Sequence, residues 1–284
     1  MRIYAAGGIF KRAMKVCLVG GFETNRAHIF DSRQRDKLEE QVKIHLAGND
    51  GYRKLRFKLA DLNILESYYY IRAQEWMFPL LKTFNSFMLD SGAFTYLESG
   101  KTTDWKAYVD EYADFVASQE IDLFFELDID AIIGLSEVEI LRSRLEKRSG
   151  KKCIPVWHRS RGWDYWVKMC RKYPYVSIGG IVSGEIKGPD YPIFTKMLRY
   201  AHDRGVKVHG LGFTNYNGML KYRFDSVDST AWLYGNRGGF LYRFNGKGLD
   251  KIQSPKGVRL KPIESAIHNF TEWVKFSKFA EVNL

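Results

Sequence analysis

Cysteine is scarce in this chain. Its 284 residues hold three, Cys17, Cys153 and Cys170, far apart and with no Cys-x-x-Cys pair. An odd, scattered set excludes a disulfide scaffold, and the paired short spacings of a structural zinc site are missing. The three read as reduced, buried thiols that pack as small hydrophobes. Long apolar runs are lacking too. No stretch approaches the ~20 apolar residues of a membrane span, and Met1 to Gly8 has no long apolar segment of the leader-peptide kind. The expectation is a soluble cytoplasmic protein. No Pro/Ser/Gly linker, internal repeat or low-complexity tract divides the chain, so one domain over residues 1–284 is expected. With 45% hydrophobic and 15% aromatic residues, the chain can build a large core.

Acidic residues are in short supply: 33 Asp and Glu face 44 Lys and Arg, a net +11 before histidine. The excess sits in two windows. Residues 1–60 hold 13 basic against 6 acidic residues, including the cluster Arg53, Lys54, Arg56 and Lys58. Residues 237–261 hold 7 against 1, including Arg237, Arg243 and Lys247, and five glycines lie between Gly235 and Gly248. Basic, glycine-bearing loops interleaved with Tyr and Phe suit a phosphate backbone, because cations release counterions and backbone amides approach closely. The plainer alternative is a solvated basic surface that keeps the protein soluble.

Short apolar runs alternate with amphipathic stretches. Candidate strands are Arg2–Ala6, Ile64–Ile71, Phe87–Asp90, Asp122–Asp128, Cys153–Trp157, Tyr175–Gly179, Val206–Leu211 and Phe224–Asp228. Helices are expected over Asp104–Gln119 with Asp104 as cap, and over Ser136–Arg148 with a Ser136/Glu139 capping box. Two more are expected over Asp190–Arg204, with Pro192 in the first turn and Gly205 at the stop, and over Ile263–Ala280 as an amphipathic terminal helix. Strands separated by helices pair in parallel, and eight of them in about 280 residues predict an α/β fold of the (β/α)8 barrel type. Residues 7–63 are its irregular, basic part. A doubly wound open sheet is the alternative, although no Gly-x-Gly-x-x-Gly turn follows the first strand.

The strand ends carry the chemistry. Phe87-Met88-Leu89 runs into Asp90-Ser91-Gly92, and Leu123-Phe124-Phe125 runs through Glu126 into Asp128 and Asp130. Ile154-Pro155-Val156 leads to Trp157 and His158, Val176-Ser177-Ile178 to Gly179-Gly180, and Val206-Lys207-Val208 to His209-Gly210. Phe224 is followed by Asp225, with Asp228 close behind. In a barrel these ends converge on the face where chemistry is found. Singly, Asp90 could shape a turn, Asp225 could cap a helix and His209 could be a core histidine. Together they predict an active site. A metal site from these residues lacks any tight ligand spacing and none is assigned. Paired carboxylates do suit glycosidic chemistry, one attacking the anomeric carbon and one handling protons.

Four segments resemble one family in its order. Asp90-Ser91-Gly92-Ala93-Phe94 is similar to the Asp-Ser-Gly-Gly-Phe/Tyr signature of the tRNA-guanine transglycosylases. Gly179-Gly180-Ile181-Val182-Ser183-Gly184-Glu185 resembles their Gly-Gly-Leu-x-x-Gly-Glu, His209-Gly210-Leu211-Gly212 their Met-Gly-Val-Gly, and Phe224-Asp225-Ser226-Val227 their Phe-Asp-Cys-Val. The resemblance implies a barrel enzyme that exchanges guanine in a polynucleotide for a free 7-deazaguanine base, without a cofactor. It implies Asp225 as the nucleophile on the sugar C1′ and Asp90 as the general acid/base. Asp128 would accept hydrogen bonds from the base edge, where His158 stands nearest the family's glutamine; the backbone around Gly180 and Ile181 would read the carbonyl oxygen, and Ser91, Gly179 and Gly210 would belong to the substrate-binding set. Glu185 would support the Gly180–Ile181 peptide, and Phe94 and His209 would sandwich the ring.

The departures are informative. No cysteine follows Cys170, so the family's C-terminal zinc subdomain is missing, and its Pro-Thr-Arg run becomes Ser229-Thr230-Ala231. A shortened, basic chain resembles the viral (bacteriophage) relatives that place 7-deazaguanines in DNA, so DNA is expected ahead of tRNA, and a monomer ahead of a dimer. A glycoside hydrolase barrel and a catalytically dead nucleic-acid-binding barrel are the competing expectations.

Overall fold

The computed structural model describes residues 1–6, 61–93, 95, 103–232, 238–257, 260 and 262–284. Arg53, Lys54, Arg56, Lys58, Phe94 and Arg237 lie outside the described residues. Seven strands form one all-parallel sheet: β1 (Arg2–Ala6), β2 (Asn63–Ser67), β3 (Ser86–Asp90), β4 (Val156–Trp157), β5 (Tyr175–Ile178), β6 (Lys207–Gly210) and β7 (Ser226–Ser229). Their spatial order is β3-β2-β1-β7-β6-β5-β4. The two edge strands are linked by residues 123–125, where Leu89 bridges to Phe124 and Phe125 to Ile154, both in parallel. The stretch expected as a strand over Asp122–Asp128 is thus reduced to two bridges. Pro155, which has no N–H to give a ladder, falls between the bridge at Ile154 and β4.

The sheet curls around its own small core. Alternation along β1 sends Tyr4 and Ala6 to an inner cluster with Leu65 of β2, Met88 of β3, the bridging Phe125 and Ile154, and Val156 of β4. Ile3 and Ala5, with the opposite parity, join the large outer cluster under the helices. Covering that outer face are α1 (Tyr68–Ile71), α2 (Trp105–Ser118), α3 (Asp130–Ile133), α4 (Leu135–Ser149), α5 (Gly162–Lys172), α6 (Pro192–His202), α7 (Tyr216–Lys221) and α8 (Pro262–Asn283).

Local chemistry explains most boundaries. Asp104 caps α2, its Oδ1 accepting from the Lys106 and Ala107 amides. Pro192 opens α6, and Gly150 ends α4 in the left-handed conformation. The Ser136/Glu139 capping box does not form. Gly134 precedes the helix instead, and Glu139 is drawn to Arg142, Tyr165 and Lys168. The strand expected to reach Ile71 stops at Ser67, where the chain turns into α1.

The basic region 237–261, expected as a loop, contains an antiparallel hairpin, β8 (Phe240–Phe244) and β9 (Leu249–Gln253). Its turn is set by Asn245, whose Oδ1 accepts the Lys247 and Gly248 amides, and by Gly246 at φ 91°. Helix α8 satisfies the free edge of β8: Asn269 accepts from the Tyr242 amide and Glu272 from that of Phe244. The same helix closes the amino end of the sheet, where Glu281 accepts from both Asn63 and Asn85 and Ser277 donates to the Ile3 carbonyl. Among the described residues no helix is long and apolar enough to cross a membrane.

Candidate functional site

Parallel strands bring their carboxyl ends to one face, so position along a strand decides which polar residues meet. Asp90 ends β3, Asp128 follows the Phe124–Phe125 bridges, His158 follows β4 and Gly179-Gly180 follow β5. Asp228 stands in the carboxyl half of β7. These residues form the candidate site.

Asp90 is held by the turn that succeeds it. Its Oδ2 accepts the Gly92 amide, and Gly92 sits at φ 69°. A Cβ there would lie 2.4 Å from the Ser67 hydroxyl oxygen, so both conformation and space require glycine. Ser91 is buried; its Oγ accepts the Ala93 amide and its carbonyl accepts the Tyr108 hydroxyl. Ser91 therefore shapes the Asp90 turn. Loss of solvation is the main force on the Asp90 carboxyl, followed by the negative charge of Asp128; with Asp228 adding to it, these outweigh the turn's amides and push the carboxyl up to about 7. An acid at that value is suited to both giving and taking a proton near neutrality.

Across the site, His158 lies between two carboxylates. Its Nε2 is 3.2 Å from Asp128 Oδ2 and its Nδ1 3.1 Å from Glu185 Oε2. Burial alone would lower this imidazole, but the Asp128 hydrogen bond and charge, with help from Glu185, raise it to about 9. The triad thus carries a cation at neutral pH and sets the orientation of Asp128. Glu185 was expected to support the Gly180–Ile181 peptide. It instead bonds His158 and, through Oε1, the Ser160 amide, while lying against the α-carbon of Gly180. A Cβ on Gly180 would meet Glu185 Oε2 at 2.6 Å, and one on Gly179 would meet His158 Cε1 at 2.9 Å, so the Gly-Gly pair makes room for this triad. Ile181 lies partly exposed at the start of the following turn.

The strand β7 corrects the expected nucleophile. Asp225 precedes the strand, at its amino end. Its carbonyl accepts the Arg2 amide, and its Oδ2 accepts from the Val208 amide and pairs with His202 at 3.0 Å. The structure therefore does not bring Asp225 to Asp90. Asp228, one strand length further, does reach the site: its Oδ1 accepts the Gly212 amide at 2.7 Å and lies 3.2 Å from His209 Nε2. The physical reason is register. Arg2 pairs with Ser226 and Tyr4 with Asp228, which sets Asp228 two residues closer to the carboxyl end.

Two further expectations change with it. His209 is fully buried, its ring edges occupied by Ser226 and Asp228 and its neighbours Tyr4 and Phe125, so it offers no open face to a ligand. Gly210 points the other way: a Cβ there would touch Phe213 and Phe224 in the outer layer, so it lines no pocket.

Sequence reasoning missed the layer behind the site. Glu126 is completely buried and accepts from Arg161 at 2.7 Å, from Arg142 at 3.0 Å and from the Val156 amide. Arg161 also bridges Asp130. Two guanidiniums around one buried carboxylate tie the segment after Phe125 to the one after β4, which are the segments bearing Asp128 and His158. The hydrophobic parity of Leu123-Phe124-Phe125 left Glu126 on the helix-facing side, and that was the available signal. Of the basic residues described, Arg243 pairs with Asp250 on the hairpin and Lys247 sits exposed at its turn. Among the described residues no group of three or more His, Cys, Asp or Glu is arranged to hold a metal.

No family profile matches the chain, and no curated protein does. Solved structures with a similar chain path include carboxyl transferase domains of Rhizobium etli pyruvate carboxylase. The complex with 3-bromopyruvate has a TM-score of 0.44 at 10% identity, covering 99% of this chain and 48% of that one. The complex with pyruvate and biocytin has 0.43 at 10%, covering 98% and 48%. The chain spans about half the length of these structures, and a likeness this remote carries no functional assignment.

Proposed function

We propose that the carboxyl end of the sheet is a base-exchange site, in which guanine in DNA is replaced by a free 7-deazaguanine base. The observation that carries the reading is the Asp90 carboxyl. On its Asp-Ser-Gly turn it is pushed up to about 7 by burial, then by the charges of Asp128 and Asp228, which suits it to handle protons beside a second carboxylate. Asp228 takes the nucleophilic role in place of Asp225: one oxygen is held by the Gly212 amide, and the carboxylate attacks the sugar C1′. The C1′–N9 bond breaks as the C1′–Oδ bond forms, and Asp90 gives its proton to the departing guanine. Asp90 then takes a proton from the incoming base, which attacks C1′ and releases Asp228, with net retention. Asp128, fixed by protonated His158, accepts from the base edge. The target base must leave its stack to enter. No cofactor is needed for this sequence.

Supporting the reading are the four ordered segments and the basic windows, of which the hairpin bearing Arg243 and Lys247 is the described part. The same proposal includes a complete (β/α)8 barrel and a monomer acting in the cytoplasm. The test is base exchange with labelled guanine in duplex DNA and, separately, in tRNA, supplied with 7-cyano-7-deazaguanine or its aminomethyl analogue. Release from DNA that is lost in Asp228→Asn and kept in Asp225→Asn supports the reading. Release from tRNA alone changes the substrate. Release from neither overturns it, in favour of a glycoside hydrolase or a non-catalytic binder.

A further inference from the structure

A buried chain of hydrogen bonds runs through the inner core and ends on Asp228. The Tyr175 hydroxyl, at the amino end of β5, lies 2.5 Å from Ser226 Oγ. Ser226 Oγ lies 2.5 Å from His209 Nδ1, and His209 Nε2 lies 3.2 Å from Asp228 Oδ1. His209 has no exposed surface, and Ser226 has almost none. Tyr4 and Phe125 pack against the imidazole. In such a setting an unmatched donor or acceptor is costly, so the protons must be distributed one per contact.

With a neutral imidazole facing an ionised Asp228, one distribution leaves every contact served. Asp228 already accepts the Gly212 amide on Oδ1, and a bare imidazole nitrogen facing that oxygen would set lone pair against lone pair. Nε2 therefore carries the proton and donates to Asp228. Nδ1 is then an acceptor and takes the Ser226 hydroxyl proton, which obliges Ser226 Oγ to accept from Tyr175.

We propose that His209 is a positioning residue for Asp228. It fixes the Nε2–H tautomer through Ser226 and Tyr175, and pins Oδ1 so that Oδ2 is the oxygen presented to substrate. This rests on the base-exchange reading of the site for its kinetic consequence, though not for its geometry. A carboxylate held by one oxygen at two donors keeps the other aligned for attack, and losing that alignment slows the chemical step while leaving binding in place.

The test has two arms. In the first, 15N-labelled histidine in the full-length protein is observed by long-range 1H–15N NMR. His209, assigned by its absence in His209→Gln, is expected as the neutral Nε2–H tautomer, and its signals are expected to move in Asp228→Asn and in Ser226→Ala. In the second, kcat and KM for base exchange are measured in variants of confirmed thermal stability. His209→Leu is expected to lower kcat by roughly 100-fold with KM within about threefold. His209→Gln, whose amide N–H can replace the Nε2 donor, is expected to recover at least about tenfold of that loss, a rescue that a filler role would not give. Tyr175→Phe is expected to cost only a few-fold. An Nδ1–H tautomer in the wild type, or equal kcat for the Leu and Gln variants, overturns the proposal. Wild-type protein with no exchange on any nucleic acid overturns the base-exchange reading, and the NMR arm alone then decides the His209–Asp228 couple.

Discussion

Both ends of the sheet carry a histidine–aspartate pair, and the two ends are not alike. At the amino end, His202 meets Asp225 with both side chains about a third exposed, at 38% and 33%. At the carboxyl end, His158 and Asp128 are 19% and 21% exposed, and His209 is not exposed at all. Similar contact distances thus have different consequences. Water screens the first pair, which ties the end of α6 to the start of β7. Enclosure at the other end gives large shifts: burial, then the charge of Asp128, raises the Asp90 carboxyl to about 7, and against the pull of burial the Asp128 and Glu185 carboxylates raise His158 to about 9. The amino end is further closed by α8, whose Ser277 and Glu281 satisfy Asn63 and the strand edge. The electrostatic setting follows from position along the strand more than from residue type.

Substitutions can break this contrast, the largest effect first. Asp228→Asn is expected to lower base exchange by about 10³-fold or more, since it removes the proposed nucleophile. Asp225→Asn, three residues earlier and just before the strand, is expected to leave it within about twofold. Asp90→Asn is expected to cost roughly 10²–10⁴-fold through loss of proton transfer, and to abolish the limb of the kcat/KM profile near pH 7.

Stability sharpens the comparison. Arg161→Ala leaves Glu126 with Arg142 as its one cation and takes the partner of Asp130, and is expected to destabilise by about 3–5 kcal/mol in denaturant unfolding, as when a buried ion pair is broken. His202→Ala, at the exposed pair, is expected to change stability by no more than about 1 kcal/mol.

The pH dependence has opposite origins at two residues of the site. Folding raises the His158 pKa from about 6.5 in the unfolded chain to about 9. Its stabilisation is thus full below pH 6.5 and is lost as pH rises through 9, on the order of 2–3 kcal/mol. Folding also raises Asp90, but for an acid this favours the neutral form. Stability then falls as pH climbs from about 4 to about 7 and is constant above. Thermal melts of His158→Gln and Asp90→Asn against the wild type, from pH 4 to 10, should remove the upper and the lower of these slopes respectively.

Much of this architecture was legible in the residues. Alternation and apolar runs located the parallel strands, and Asp104 and Pro192 marked helix ends that the structure keeps. The Asp90 turn was legible because Gly92 cannot be replaced there. What the residues hid was register. A strand expected to end at Asp228 should have named Asp228 as its site residue, yet similarity to a Phe-Asp-Cys-Val segment drew attention to Asp225. His209 was misplaced for a related reason, since facing inward or upward at a strand end depends on pairing with β7 and not on local sequence. The Glu126–Arg161–Arg142 cluster joins residues up to 35 apart, and no short motif announces it.

The most direct test is to map the covalent intermediate. The protein would be mixed with guanine-containing DNA in the absence of an incoming base, quenched in denaturant, digested with protease and nuclease, and sequenced by mass spectrometry. A deoxyribosyl adduct on Asp228, with Asp225 unmodified, is the predicted result. An adduct on Asp225, or none on either residue while exchange proceeds, would contradict the assignment of the chemistry to the carboxyl end of the sheet.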